Sequence, residues 1–185
     1  MGQGFVALEA ARSARSGATL DGVARRAREV AEKTRLFATV DTFAYLAGPV
    51  ARVAAFSSRL AGLTNLDEST TVMIEFASGA LAYLGTSYFA PPVVTVAAYG
   101  TKANAWNEQD GARLFVQRQG EPARTEEPVD TVDTTVDELA EFARCIREGT
   151  RPETGGPEGL EMAAVLEAIV ESVASGRAVA LSDLR

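Results

Sequence analysis

Apolar and polar positions take on a two-residue rhythm after Val50 and keep it, with breaks, as far as Tyr99. Four runs carry it: Val50 to Leu60, Thr70 to Phe76, Ala80 to Phe89 and Val93 to Tyr99. In the second, Val72, Ile74 and Phe76 fall on one face, as they must if one side of a strand meets a core. Ser78-Gly79 then reads as a short hairpin turn. Two further runs, Ala103 to Asn107 and Ala112 to Arg118, flank Asp110-Gly111, a dipeptide with turn chemistry. The pattern predicts an antiparallel meander.

The periodicity on either side is helical. Residues 3–16 predict a short helix closed by Gly17, and Thr19 can cap a second with the stripe Leu20, Val23, Ala24, Ala27 and Val30. Leu36 to Val40 reads as a short strand, and Thr42 to Ala47 as a helical turn or two. Residues 119–134 are polar, contain Pro122 and Pro128, and predict a surface loop. Thr135 with Glu138 reads as a capping box opening a helix that carries Leu139, Phe142, Ala143 and Ile146 on one face and stops at Gly149. Pro157 opens another, striped with Met162, Val165, Leu166, Ile169, Val170 and Val173, up to Gly176. Ala178 to Leu181 makes a last strand. Strands followed by helices, rather than alternating with them, predict an α+β fold. Its expected form is a mostly antiparallel open sheet of five or six strands, with helices on one face and a helical segment in front. Val93, Thr95, Ala97 and Tyr99 or their neighbours leave the other face moderately apolar, so a homo-oligomer through that open face is expected.

Composition narrows the chemistry. The 185 residues include no histidine, which removes Ser-His-Asp and Cys-His catalysis and the commonest general base. Cys145 is the sole cysteine, so no intrachain disulfide can form; beside Phe142 and Ile146 it reads as a small core residue. A net charge of −7 speaks against nucleic acid as a partner, since phosphates must be met by excess Lys and Arg. No apolar run approaches the roughly 18 residues of a membrane span, and neither a signal-peptide core nor a myristoylation pattern opens the sequence, so no membrane partner and a cytoplasmic location are expected.

Several residues line up with a known pattern. Tyr45-Leu-Ala-Gly-Pro-Val50, Thr71 to Ala80, Thr86-Ser87, Ala98-Tyr-Gly-Thr-Lys102, Leu139-x-x-Phe142 and Gly159-Leu160 through Gly176 to Val179 stand in this order. From about residue 41 to the end, the chain resembles the C-terminal domain of the Gfo/Idh/MocA oxidoreductase family. The resemblance implies a sheet domain that supplies part of a substrate pocket and an oligomer interface. Its partner in the family is a Rossmann domain holding NAD or NADP, and typical substrates are sugars and polyols. It implies Asp41 and Tyr45 as the residues nearest a small-molecule ligand. The family's catalytic histidine, three residues before that aspartate, falls on Ala38 here, and the Rossmann lysine has no counterpart. The expectation is a substrate-side and oligomerisation domain that binds no cofactor of its own, with NAD or NADP implied for full-length relatives. Whether the chain is an enzyme stays open.

Residues 1–46 resemble something else. Met1 to Ala11, Arg35 to Thr42 and Tyr45-Leu46 are similar to a segment of the DegV family of fatty-acid-binding proteins. Charge changes sign nearby: residues 1–46 carry seven basic and five acidic side chains, a balance of +2, while the rest carry eleven and twenty, a balance of −9. A junction near residue 40 is expected, dividing the chain into 1–40 and 41–185. It leaves two alternatives open: a non-enzymatic protein for fatty acids or another apolar ligand, and a chimeric structural protein. Gly2-x-Gly4-x-x-Ala7 formally fits a dinucleotide fingerprint but has no strand before it, so a helix start is expected. Among polar candidates, Asp67, Glu68, Glu126, Glu127 and Asp133 read as solvated loop carboxylates. Ser57, Ser58 and Ser87 lack a histidine to activate them, and Lys102 reads as a turn residue with its amine in water.

Overall fold

The computed structural model describes residues 39–59, 62, 67–87, 90–91, 93–109, 111–130 and 133–184. The expectations for residues 1–38, including both N-terminal helices and the Gly2-x-Gly4 motif, lie outside the described residues, as does Asp110. The rest is α+β with antiparallel strands, in two compact units: one takes in residues up to Phe89 together with Arg151–Arg185, the other runs from Ala90 to Thr150. Among the described residues, eight strands form two four-stranded sheets in place of one sheet of five or six. The division falls at Ala90-Pro91-Pro92, where two consecutive prolines supply no N–H to a ladder.

Among the described residues, the first element of the first unit is helix α1, residues 39–47, which overturns the strand expected at Leu36–Val40 over its described part. Val40, Phe43, Ala44 and Ala47 are spaced i, i+3, i+4, i+7, so a helix puts them all on the core side. A strand would split them. The helix is followed by β1 (Val50–Ser58), β2 (Ser69–Phe76) and β3 (Leu81–Ser87), and β8 (Val179–Ala180) joins the other edge of β1, in the order β3-β2-β1-β8. On the inner face Val53, Ile74 and Ala82 form one cross-strand row and Ala55, Val72 and Leu84 the next. Helix α3 (Gly156–Ser175) covers that face with Met162, Val165, Ala168 and Ile169. The alternation read at Val72, Ile74 and Phe76 is therefore the core, and all three are buried. Gly79, at φ 83°, turns β2 into β3 in a conformation an L side chain resists.

The start of α3 has its own electrostatics. Gly155 N–H donates to Glu158 Oε2 at 2.8 Å, and Arg151 Nη2 donates to Glu158 Oε1 at 3.0 Å. Hydrogen bonds from the amides of Glu158 itself and of Gly155, with the Arg151 charge, hold the Glu158 carboxyl below the usual carboxylate range. A depressed folded-state pKa contributes stability above the unfolded value of about 4.3, and that contribution is lost as pH falls through the folded pKa. Thermal melts between pH 6 and pH 3 should therefore show the unsubstituted chain losing more than Glu158→Gln, with the two curves converging at the acid end. Parallel curves would refute the coupling.

The second unit is a meander of β4 (Thr95–Tyr99), β5 (Ala103–Glu108), β6 (Arg113–Arg118) and β7 (Thr125–Glu127), paired in sequence order, followed by α2 (Thr134–Glu148). β7 corrects the reading of residues 119–134 as loop throughout. Its side chains are polar, but Arg113 holds Glu126 by two bonds of 2.8 Å and Arg118 holds Glu127 at 2.9 Å. Charge on an outer strand also guards the edge against pairing with another chain. Trp106 and Phe115 are cross-strand partners, Tyr99 meets Trp106 edge to face with centroids 5.9 Å apart, and the Arg124 guanidinium lies 4.1 Å from the Phe115 centroid. Helix α2 is capped by Asp133, which accepts from the amides of Thr135 and Val136, rather than by Thr135. Gly149 and Gly176 end α2 and α3 in the left-handed conformation, as the sequence predicts. Cys145 is buried while its neighbours Phe142 and Ile146 are exposed.

Candidate functional site

Asp41 and Tyr45 both lie on α1, one helical turn apart and on one face. The helix is anchored by Val40 in the core and ends at Gly48, whose N–H donates to Ala44 O at 2.8 Å before the chain enters β1. Asp41 is half-buried, and Tyr45 is 77% exposed. A carboxylate and a phenol so placed can accept from and donate to the hydroxyls of a small polar molecule.

Glu68, Glu126, Glu127, Asp133 and Ser57 have structural partners. Glu68, read as a solvated loop carboxylate, is fully buried and accepts the Gly62 N–H at 2.9 Å. A loop position in the sequence carries no signal of that burial. Glu126 and Glu127 sit on β7, not in a loop; the hydrogen bond from Arg113 holds the Glu126 carboxyl below the usual range. Asp133 is a helix cap. Ser57 Oγ and Thr70 Oγ1 lie 2.7 Å apart across β1 and β2. Lys102 is exposed beside the β4–β5 turn and borders a shallow hollow of about 230 Å³ in the second unit, with Asn104, Gln117, Gln119 and Glu121. Its lining contains neither Asp41 nor Tyr45. Among the described residues, no group of three His, Cys, Asp or Glu side chains could hold a metal ion, and no helix is long and apolar enough to cross a membrane.

The outer face of the first sheet was not singled out by sequence. Phe56 on β1, Met73 on β2 and Leu81 and Tyr83 on β3 are exposed there, with the Arg52–Glu75 ion pair among them. Ala54, Met73 and Tyr83 form one cross-strand row. Of the positions the sequence pointed to, Thr95, Ala97 and Tyr99 lie on β4 of the other sheet. Strict alternation in three consecutive strands was the available signal, because it places a second set of apolar residues opposite the buried set.

Comparison with known proteins places this architecture. Residues 39–105 match the GFO/IDH/MocA C-terminal domain. The chain carries the C-terminal-domain fold of Gfo/Idh/MocA oxidoreductases. Residues 1–67 also match the family described as "Uncharacterised protein, DegV family", so 39–67 fall under both. A Desulfitobacterium hafniense protein, provisionally named an NADPH-dependent oxidoreductase, shares 29% identity and a TM-score of 0.76 over 80% of this chain and 47% of its own. An Agrobacterium radiobacter oxidoreductase solved with NAD+, L-tartaric acid and magnesium is 20% identical with a TM-score of 0.71, over 80% and 48%. Aldose-aldose oxidoreductase from Caulobacter crescentus, solved with glycerol, is 23% identical with a TM-score of 0.69, over 78% and 45%. The chain spans about half the length of these solved Gfo/Idh/MocA-like proteins. No curated protein matches it.

Proposed function

We propose that this chain is the substrate-side and oligomerisation domain of an NAD(P)-dependent oxidoreductase of sugars or polyols, inactive alone, with the domain boundary near residue 40. The observation that carries the reading is the correspondence with the D. hafniense oxidoreductase over 80% of the chain at 29% identity. Asp41 and Tyr45 are its ligand contacts, the cofactor is held outside residues 41–185, and the setting is cytoplasmic. Calorimetry with NADH and NADPH should show no micromolar binding by the chain alone; such binding, accompanied by turnover of a polyol, overturns the proposal. Where a hexose or polyol binds, Asp41→Ala should weaken it about tenfold, the worth of one hydrogen bond to a charged group.

The oligomer surface in this reading is the outer face of the first sheet. Its exposed Phe56, Met73, Leu81 and Tyr83 favour burial against a second copy. Sedimentation equilibrium should give a dimer or larger species, and the double substitution Phe56→Asp with Tyr83→Asp should give a monomer whose thermal melt is preserved. A native chain that is monomeric at tens of micromolar removes this part of the proposal.

The match of residues 1–67 to the DegV family supports a second reading, a fusion that retains an apolar-ligand site. Mass spectrometry of the denatured protein would detect a co-purified fatty acid, and its absence after expression in a lipid-replete host counts against this reading.

A further inference from the structure

No further inference is drawn: the strongest candidate, the exposed apolar stripe of Val136, Leu139, Phe142 and Ile146 along α2, is an unpartnered helix face, and nothing in the structure shows what covers it.

Discussion

Ile74→Ala should destabilise the chain by about 3 kcal/mol, within the roughly 2–5 kcal/mol typical of truncating a buried isoleucine. Ile74 is 1% exposed in the middle strand of its sheet, between Val53 on β1 and Ala82 on β3, and its face is covered by α3. Ala82 is already small, so the strands cannot close by much over a lost side chain. At about 2–4 °C per kcal/mol for a chain of this size, the thermal transition should fall by roughly 6–12 °C. Hydrogen exchange of the β1–β3 amides should accelerate with it. Met73→Ala, one position along and on the outer face, is the control and should cost far less when both variants are compared in the monomeric Phe56→Asp, Tyr83→Asp background. Equal losses at the two positions would mean that the sheet buries both faces alike.

Ser172→Ala should cost about 1–3 kcal/mol although it removes a single oxygen. Ser172 is 1% exposed on α3; the Ala55 amide donates to its hydroxyl at 2.9 Å, and the hydroxyl donates to Arg177 O at 2.7 Å. β1 pairs with β8 at Arg52–Ala180 and Val53–Val179, and the same register carried two residues further sets Ala55 opposite Arg177. The hydroxyl thus stands between two backbone groups just past the last β1–β8 pair and prolongs the ladder. Alanine leaves the buried Ala55 N–H unpartnered, at about 1–3 kcal/mol, while the Arg177 C=O belongs to an exposed residue and can turn to water. Ser175→Ala, at an exposed hydroxyl bonded to Glu171 O, should change stability by under about 0.5 kcal/mol. Chemical denaturation of both variants decides the matter. A Ser172→Ala loss no larger than that of Ser175→Ala would show that the bridge is dispensable.

Much of the frame was legible from residue types. β1 to β6 and β8 lie within a residue or two of the runs that predict them. Gly149 and Gly176 stop their helices because the left-handed conformation there favours a residue without Cβ. The misreadings have definite causes. Val40 belongs to a helix whose i, i+3, i+4, i+7 spacing outweighs the strand preference of Val40 and its neighbours. β7 is Thr125-Glu126-Glu127, three residues with no apolar rhythm, and it is a strand because Arg113 and Arg118 on β6 pair with its carboxylates. Asp133 takes the cap from Thr135 one residue before the helix begins, where a carboxylate reaches two free amides.

The candidate site divides along the same line. Asp41 and Tyr45 are pointed to by a family resemblance alone, and their four-residue spacing sets them on one face once α1 is known to be a helix. That Glu68 is buried is decided by the folded structure, and cross-strand register is what joins Phe56, Met73, Leu81 and Tyr83 on one open face. Local pattern was enough for most strands, for the glycine stops of α2 and α3 and for the buried face of β2, because these depend on neighbours within four residues. Tertiary structure alone decided the division into two sheets, the polar edge strand and the Ser172 bridge. Each of those depends on groups far apart in the chain: Ala55 and Ser172 are 117 residues apart and meet at 2.9 Å.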